Sequence, residues 1–178
     1  MERASGLPGD GLLVWNKVKV MGREYELKDG DEALGQMQFE SAFGSLASAE
    51  VASQSFTLKR EGFLSPRVTV RAPGSEANLV VFHPKWTGGG MAEFADGRQI
   101  QWRHTSFWGS EWSFLAEDNH ALMRFQQHMG LLKFSAELAI EPADVALPEV
   151  PLLVALGWYL MILTAQDAAA AATVVAVH

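Results

Sequence analysis

The chain of 178 residues contains no cysteine. That excludes a disulfide framework, a thiol nucleophile and thiolate metal sites together, while leaving the redox compartment open. Positive charge is also scarce: 14 Lys and Arg stand against 21 Asp and Glu, a net charge of −7, which disfavours non-specific binding to nucleic acid. Beyond Lys133 there is no further Lys or Arg, and residues 150–165 carry no charge of either sign. Residues 1–11 lack a basic stretch followed by an apolar run, so no secretory signal is expected and a cytoplasmic setting is the default. The sequence has no Gly-x-Ser-x-Gly elbow, no His-Glu-x-x-His pair and no Gly-Lys-Ser/Thr phosphate loop. No cofactor and no catalytic residue is therefore expected, and the protein reads as a non-enzyme.

What is present fits one globular domain. The chain is 48% hydrophobic and 20% charged, close to the averages of folded proteins. Its patterning has a period of two, the signature of strands with one buried face. Between Lys133 and Glu141, Phe134, Ala136, Leu138 and Ile140 fall on one face, with Ser135, Glu137 and Ala139 on the other. Ile100 and Trp102, Trp112 and Phe114, and Met123 and Phe125 repeat the theme. Asp29-Gly30, Asp96-Gly97 and Asp118-Asn119 tolerate the positive φ of tight hairpin turns and join such runs in pairs. About a dozen strands are predicted, at residues 12–20, 25–28, 34–39, 46–51, 55–60, 67–72, 78–82, 91–94, 99–104, 112–116, 121–127 and 133–140. Short connections make this a meander, and that many strands should curl closed to remove their edges. Residues 1–10 read as a flexible lead-in, because Gly6, Pro8 and Gly9 suit neither helix nor strand.

The apolar stretch from Val150 is Leu-rich, with Pro151 suited to a first helical turn, so a helix is predicted over about residues 150–166. It is apolar all round and must be wrapped either by protein or by lipid. Sixteen residues rise only about 24 Å, short of the roughly 30 Å of a bilayer core, and a longer helix would carry Asp167 into lipid. A barrel of a dozen strands, in turn, is too wide to fill with its own side chains. Helix and barrel supply each other's missing partner, so the expected fold is mainly β: a closed antiparallel barrel around a buried hydrophobic C-terminal helix, one domain over residues 11–178. A membrane-inserted tail helix is the alternative, and no transmembrane span is favoured.

That arrangement, with Leu152-Leu153-Val154-Ala155-Leu156-Gly157-Trp158-Tyr159-Leu160 following hairpins such as Phe94-Ala95-Asp96-Gly97-Arg98-Gln99-Ile100, resembles the tubby C-terminal domain-like superfamily, which includes phospholipid scramblases and LURP-one-related proteins. The resemblance implies a non-catalytic binding module whose ligand is anionic phospholipid or a protein partner at a membrane surface. The cysteine-rich palmitoylation segment and the aspartate-rich calcium segment of scramblases are absent, so scrambling and calcium binding do not carry over. A lipocalin-like carrier of a small apolar ligand is a rival reading, and requires the helix to sit outside the barrel.

One basic cluster runs against the net charge. Lys59, Arg60, Arg67, Arg71 and Lys85 face only Glu61 and Glu76 between residues 59 and 85. On the strand at 67–71, alternation turns Arg67, Thr69 and Arg71 outward and Val68 and Val70 inward, so the arginines are candidates for holding phosphate oxygens. His83, His104, His120 and His128 lack metal-ligand spacing and predict no metal site. Glu111 and Glu117 have odd offsets from Trp112 and are expected to face away from it. Gly88-Gly89-Gly90 reads as a flexible hairpin loop. Trp102, Trp112 and Trp158 are expected in the core, whereas Trp86 and Trp108 adjoin glycine-containing loops and are candidates for touching lipid or a partner.

Overall fold

A computed structural model describes residues 6–106, 110–129 and 134–175. The strands are β1 (Leu13–Lys17), β2 (Glu24–Asp29), β3 (Glu32–Phe39), β4 (Ala47–Val51), β5 (Gln54–Glu61), β6 (Arg67–Arg71), β7 (Asn78–Pro84), β8 (Gly90–Phe94), β9 (Gln99–His104), β10 (Glu111–Leu115), β11 (Ala121–Met129) and β12 (Phe134–Ile140). Each pairs antiparallel with its neighbours in the chain, and β1 pairs with β12, Leu13 opposite Leu138 and Trp15 opposite Ala136. The predicted meander is thus a closed barrel, without a free edge to pair with another chain. Lys133 and Trp108 lie outside the described residues.

The alternation read from the sequence is the barrel's inside-outside alternation. In β4, Ala47, Ala49 and Val51 are buried while Ser48 and Glu50 are exposed. In β6, Val68 and Val70 face inward as expected, but Thr69, expected on the solvent face between Arg67 and Arg71, is buried too. Gly30, Gly97 and Asn119 adopt positive φ in the three turns where the dipeptides required it. A fourth hairpin, β4–β5, turns through Ala52 and Ser53, both at positive φ, and neither residue announces a turn.

The helix α1 (Val150–Val175) runs through the lumen. Its first fourteen residues, Val150 to Leu163, are buried on every side, a length of about 21 Å. It lies nearest β4 and β5, where the small Ala47 and Ala49 let its backbone approach. Aromatic rings fill the gap between the helix and the neighbouring strands β3, β2, β1 and β12. Trp15 of β1 stacks on Trp158 at 5.6 Å, Phe134 of β12 stacks on it at 5.0 Å, and Tyr25 of β2 meets it edge-on. Phe39 of β3 stacks on Tyr159. Trp102, Trp112 and Trp158 are core residues as predicted, and the lumen a carrier of the lipocalin type would use holds the helix instead.

The helix extends past the expected end near residue 166 to Val175, because residues 168–172 are alanines, the strongest helix formers, with no Gly or Pro to stop them. Residues 164–175 project from the barrel and rise about 18 Å. Arginine–carboxylate pairs tie the helix at both ends. Arg98 in the β8–β9 turn donates to Glu149 at 2.6 Å where the helix begins, and Arg60 of β5 donates to both oxygens of Asp167 at 3.0 and 2.8 Å where it leaves.

Candidate functional site

Strand direction sorts the connections to two ends of the barrel. The helix begins at the end holding the β2–β3, β6–β7, β8–β9 and β10–β11 turns, which carry Asp31, Glu76, Asp96, Glu117 and Asp118. It emerges at the end holding the β1–β2, β3–β4, β5–β6, β7–β8 and β9–β10 connections. There the neighbouring charges include Lys17, Lys19, Arg60, Arg67, Lys85 and Arg103. Glu24, Glu40, Glu61, Glu111 and Asp167 lie at the same end, so the net charge of −7 hides one strongly acidic end and one in which cations slightly outnumber carboxylates.

A cavity of about 250 Å³ opens beside the helix at the helix-exit end. Its floor is apolar: Trp102, Trp112, Phe82, Leu160 and Leu163. Trp102 and Trp112 stack at 5.2 Å, and His104 packs against Trp112 at 3.6 Å between ring centres, where burial lowers its pKa below the ordinary histidine value. The rim carries Arg60, Arg67 and Lys85 together with Asp167, whose carboxylate is paired with Arg60. The β7–β8 hairpin closes one side. Lys85 N–H donates to Gly89 O at 3.0 Å, and Gly89 sits so close to Trp102 that a Cβ there would lie 2.2 Å from the Trp102 carbonyl oxygen. Gly88 and Gly89 both have positive φ in this hairpin loop, a conformation glycine adopts without strain.

The predicted basic cluster divides across the wall. Arg60 shares the inward parity of Phe56 and Leu58 and is held by Asp167, whereas Lys59, Arg67 and Arg71 point outward. Glu61 stands between Arg67 and Arg71 at 3.7 Å from each, and Arg71 Nε donates to Asn78 Oδ1 at 2.7 Å. The expected pair of arginines waiting for phosphate is thus a carboxylate-bridged pair. Arg71 and Lys59 belong to the outer wall, while Arg60, Arg67 and Lys85 meet at the mouth. Lys85 forms no ion pair among the described residues, so it is the rim cation most available to a ligand.

Sequence reasoning missed two participants. In the sequence Asp167 signals only a cost of membrane insertion, and its role in clamping the helix needs the barrel that brings Arg60 to it. Arg23 donates to the carbonyls of Ser41 and Gly44 at 2.6 and 2.7 Å and lies over the Phe39 ring at 3.9 Å, shaping the β3–β4 connection. Burial lowers its pKa, and no spacing in the sequence points to these partners.

The remaining candidates lie apart from the mouth. Glu111 accepts from Thr105 on the outer wall at 2.7 Å while Trp112 faces in, as their parity required. His120 bridges Asp118 and Asp144 at 2.6 and 3.0 Å at the acidic end, and His128 pairs with Glu137. Among the described residues no three His, Asp or Glu side chains are grouped to hold a metal ion. A larger hollow of about 760 Å³ is a concavity of the outer wall over β2 to β5, lined by outward residues such as Glu24, Glu26, Gln36 and Ser48. Comparison with protein-family models, with curated proteins and with solved structures returns no match. A β-barrel hosts many functions, so the fold alone assigns no ligand.

Proposed function

We propose that this protein is a non-catalytic binding module that takes anionic phospholipid at the mouth where its central helix leaves the barrel. The observation carrying this reading is the combination at one site of a tryptophan-floored apolar cavity with a rim where Lys85 has no ion pair among the described residues and Arg67 is held only at 3.7 Å by Glu61, while Arg60 is already paired with Asp167. An amphiphile with an anionic head matches that division: apolar atoms go to the indole floor, oxygens to the cations. The working position is peripheral, on a cytoplasmic membrane face. The twelve-stranded barrel around a helix is also the architecture implied by the resemblance to tubby-like proteins, which stays part of the proposal.

The test is flotation of the full chain with vesicles of phosphatidylcholine alone or mixed with phosphatidylserine, at low and high salt. Exposed charge attraction is screened within a Debye length of about 8–10 Å. Salt-sensitive capture by the mixed vesicles, weakened at least several-fold by Arg67→Glu with Lys85→Glu, supports the reading. Unchanged capture by that double variant removes the mouth as the site. A protein partner at the membrane surface is the second outcome: capture by membranes carrying proteins but not by pure lipid.

A further inference from the structure

The mouth is surrounded by something the charge pattern did not foretell. Apart from Leu12 and Leu79, all the exposed large apolar side chains of the described residues lie at the helix-exit end. Val18, Val20 and Met21 occupy the β1–β2 connection, Phe43 the β3–β4 connection, Phe63 and Leu64 the β5–β6 connection, and Trp86 the β7–β8 turn. Val174 and Val175 lie on the emerging helix. Phe43, Phe63 and Trp86 are 102%, 98% and 106% exposed, as open as in an extended chain, so they protrude beyond their neighbours.

Such residues normally cost solubility unless something covers them. We infer that these loop tips insert into the apolar boundary of a lipid bilayer, with the barrel axis steep to the membrane, the projecting end of α1 entering with them and the acidic end pointing away. This deepens the phospholipid reading and shares its ligand class, but it stands on a separate observation. Two features favour a bilayer over a protein. The tips sit on separate connections as isolated protrusions, whereas a protein interface needs a contiguous packed core; fluid lipid closes around separate wedges. The charges also lean toward an anionic surface: at the exit end Lys17, Lys19, Arg23, Arg60, Arg67, Lys85 and Arg103 outnumber Glu24, Glu40, Glu61, Glu111 and Asp167, whereas at the opposite end Asp31, Glu76, Asp96, Glu117 and Asp118 outnumber Arg98. Trp86 adds an indole, the side chain that favours the headgroup level.

The test uses the full chain with phosphatidylcholine–phosphatidylserine vesicles and three variants, each first checked for native circular dichroism and melting. Phe63→Ser with Leu64→Ser removes two tips, Arg67→Glu with Lys85→Glu reverses the rim, and Trp86→Phe supplies a difference spectrum that isolates Trp86 fluorescence. Insertion predicts that capture survives in part at high salt, that Trp86 shifts to the blue and is quenched by lipids brominated along the acyl chain, and that the double serine variant binds at least tenfold more weakly. If the wild type is captured but Trp86 stays unquenched and the serine variant binds normally, insertion is wrong and headgroup binding at the mouth stands. If the serine variant loses capture while the charge variant keeps it, insertion stands and the mouth reading fails. Absence of capture of either vesicle overturns both, as does self-association that the serine variant abolishes without any vesicle binding.

Discussion

Gly157 lies in the enclosed part of α1, where replacing glycine by alanine has two opposed effects. In an exposed helix interior the change stabilises by about 0.8–1 kcal/mol, since alanine loses less backbone freedom. Here a Cβ would lie 2.5 Å from Phe125 Cζ, 2.7 Å from its Cε2 and 3.1 Å from Phe114 Cε2. Ordinary contact begins near 3.5 Å, so the Phe125 ring must move by about an ångström. It has nowhere to go: Phe125 and Phe114 are fully buried, and Trp102 packs on both, at 5.4 Å and 4.6 Å between ring centres. Overpacking a tight core costs about 1–3 kcal/mol. The net expectation for Gly157→Ala is a loss of about 0.5–2 kcal/mol, and a Tm lower by about 1–8 °C for a chain of this size. Differential scanning calorimetry or urea unfolding reads it. A Tm raised to the extent expected of an exposed helical glycine would refute the idea that this helix face is in tight contact with the wall. Gly157→Leu should cost more than Gly157→Ala.

Three further outcomes follow from local chemistry. Ser53 is exposed and holds φ at 65° in the β4–β5 turn, so Ser53→Gly should stabilise by about 0.5–1 kcal/mol by relieving left-handed strain, read as a higher urea midpoint; a lower midpoint would count against it. Hydrogen bonds that the His120 ring donates to Asp118 and then to Asp144 raise the His120 pKa above its ordinary 6.5, while the His120 contacts lower that of Asp118 below 3.8. The contribution of this cluster is therefore present between those values, fading as pH falls through the Asp118 pKa or rises through the His120 pKa. An NMR titration should find the His120 ring half-protonated above pH 6.5, and Asp118→Asn should move it down. Burial pushes the Tyr159 hydroxyl up to about 12 and raises that of Tyr25, so the folded chain should develop little phenolate absorbance at pH 10. Above pH 10 the unfolded chain ionises first and stability falls; normal titration of both tyrosines in folded protein would contradict their enclosure.

The parts of this fold that were legible in the sequence are those that repeat. Twelve alternating runs and Asp-Gly turns announce hairpins because strand period and positive-φ turns are local chemistry, and an all-apolar helix announces that something must surround it. What was not legible is what depends on closure. Nothing local says that β1 meets β12. Ala52 and Ser53 turn because β4 and β5 are already registered, not because either residue favours it. Arg60 and Lys59 are neighbours in a basic run, yet one faces the lumen and the other the solvent, a distinction of parity that the charge count conceals. Asp167 became interpretable only when the emerging helix brought it to Arg60. The mouth itself gathers residues from β5, β6, β7, β9, β10 and α1, so no spacing in the chain could mark it.

The most direct test of the membrane account uses the absence of cysteine, which allows a single introduced thiol to be labelled without background. A nitroxide or polarity-sensitive dye would be attached at Ser65→Cys, in the β5–β6 connection at the helix-exit end, and separately at Ala77→Cys, in the β6–β7 connection at the acidic end. With phosphatidylcholine–phosphatidylserine vesicles, the label at 65 should move into an apolar, lipid-shielded setting while the label at 77 keeps its aqueous signal. A label at 77 that enters lipid, or vesicle-bound protein in which neither label changes, would contradict the claim that this end of the barrel meets the membrane.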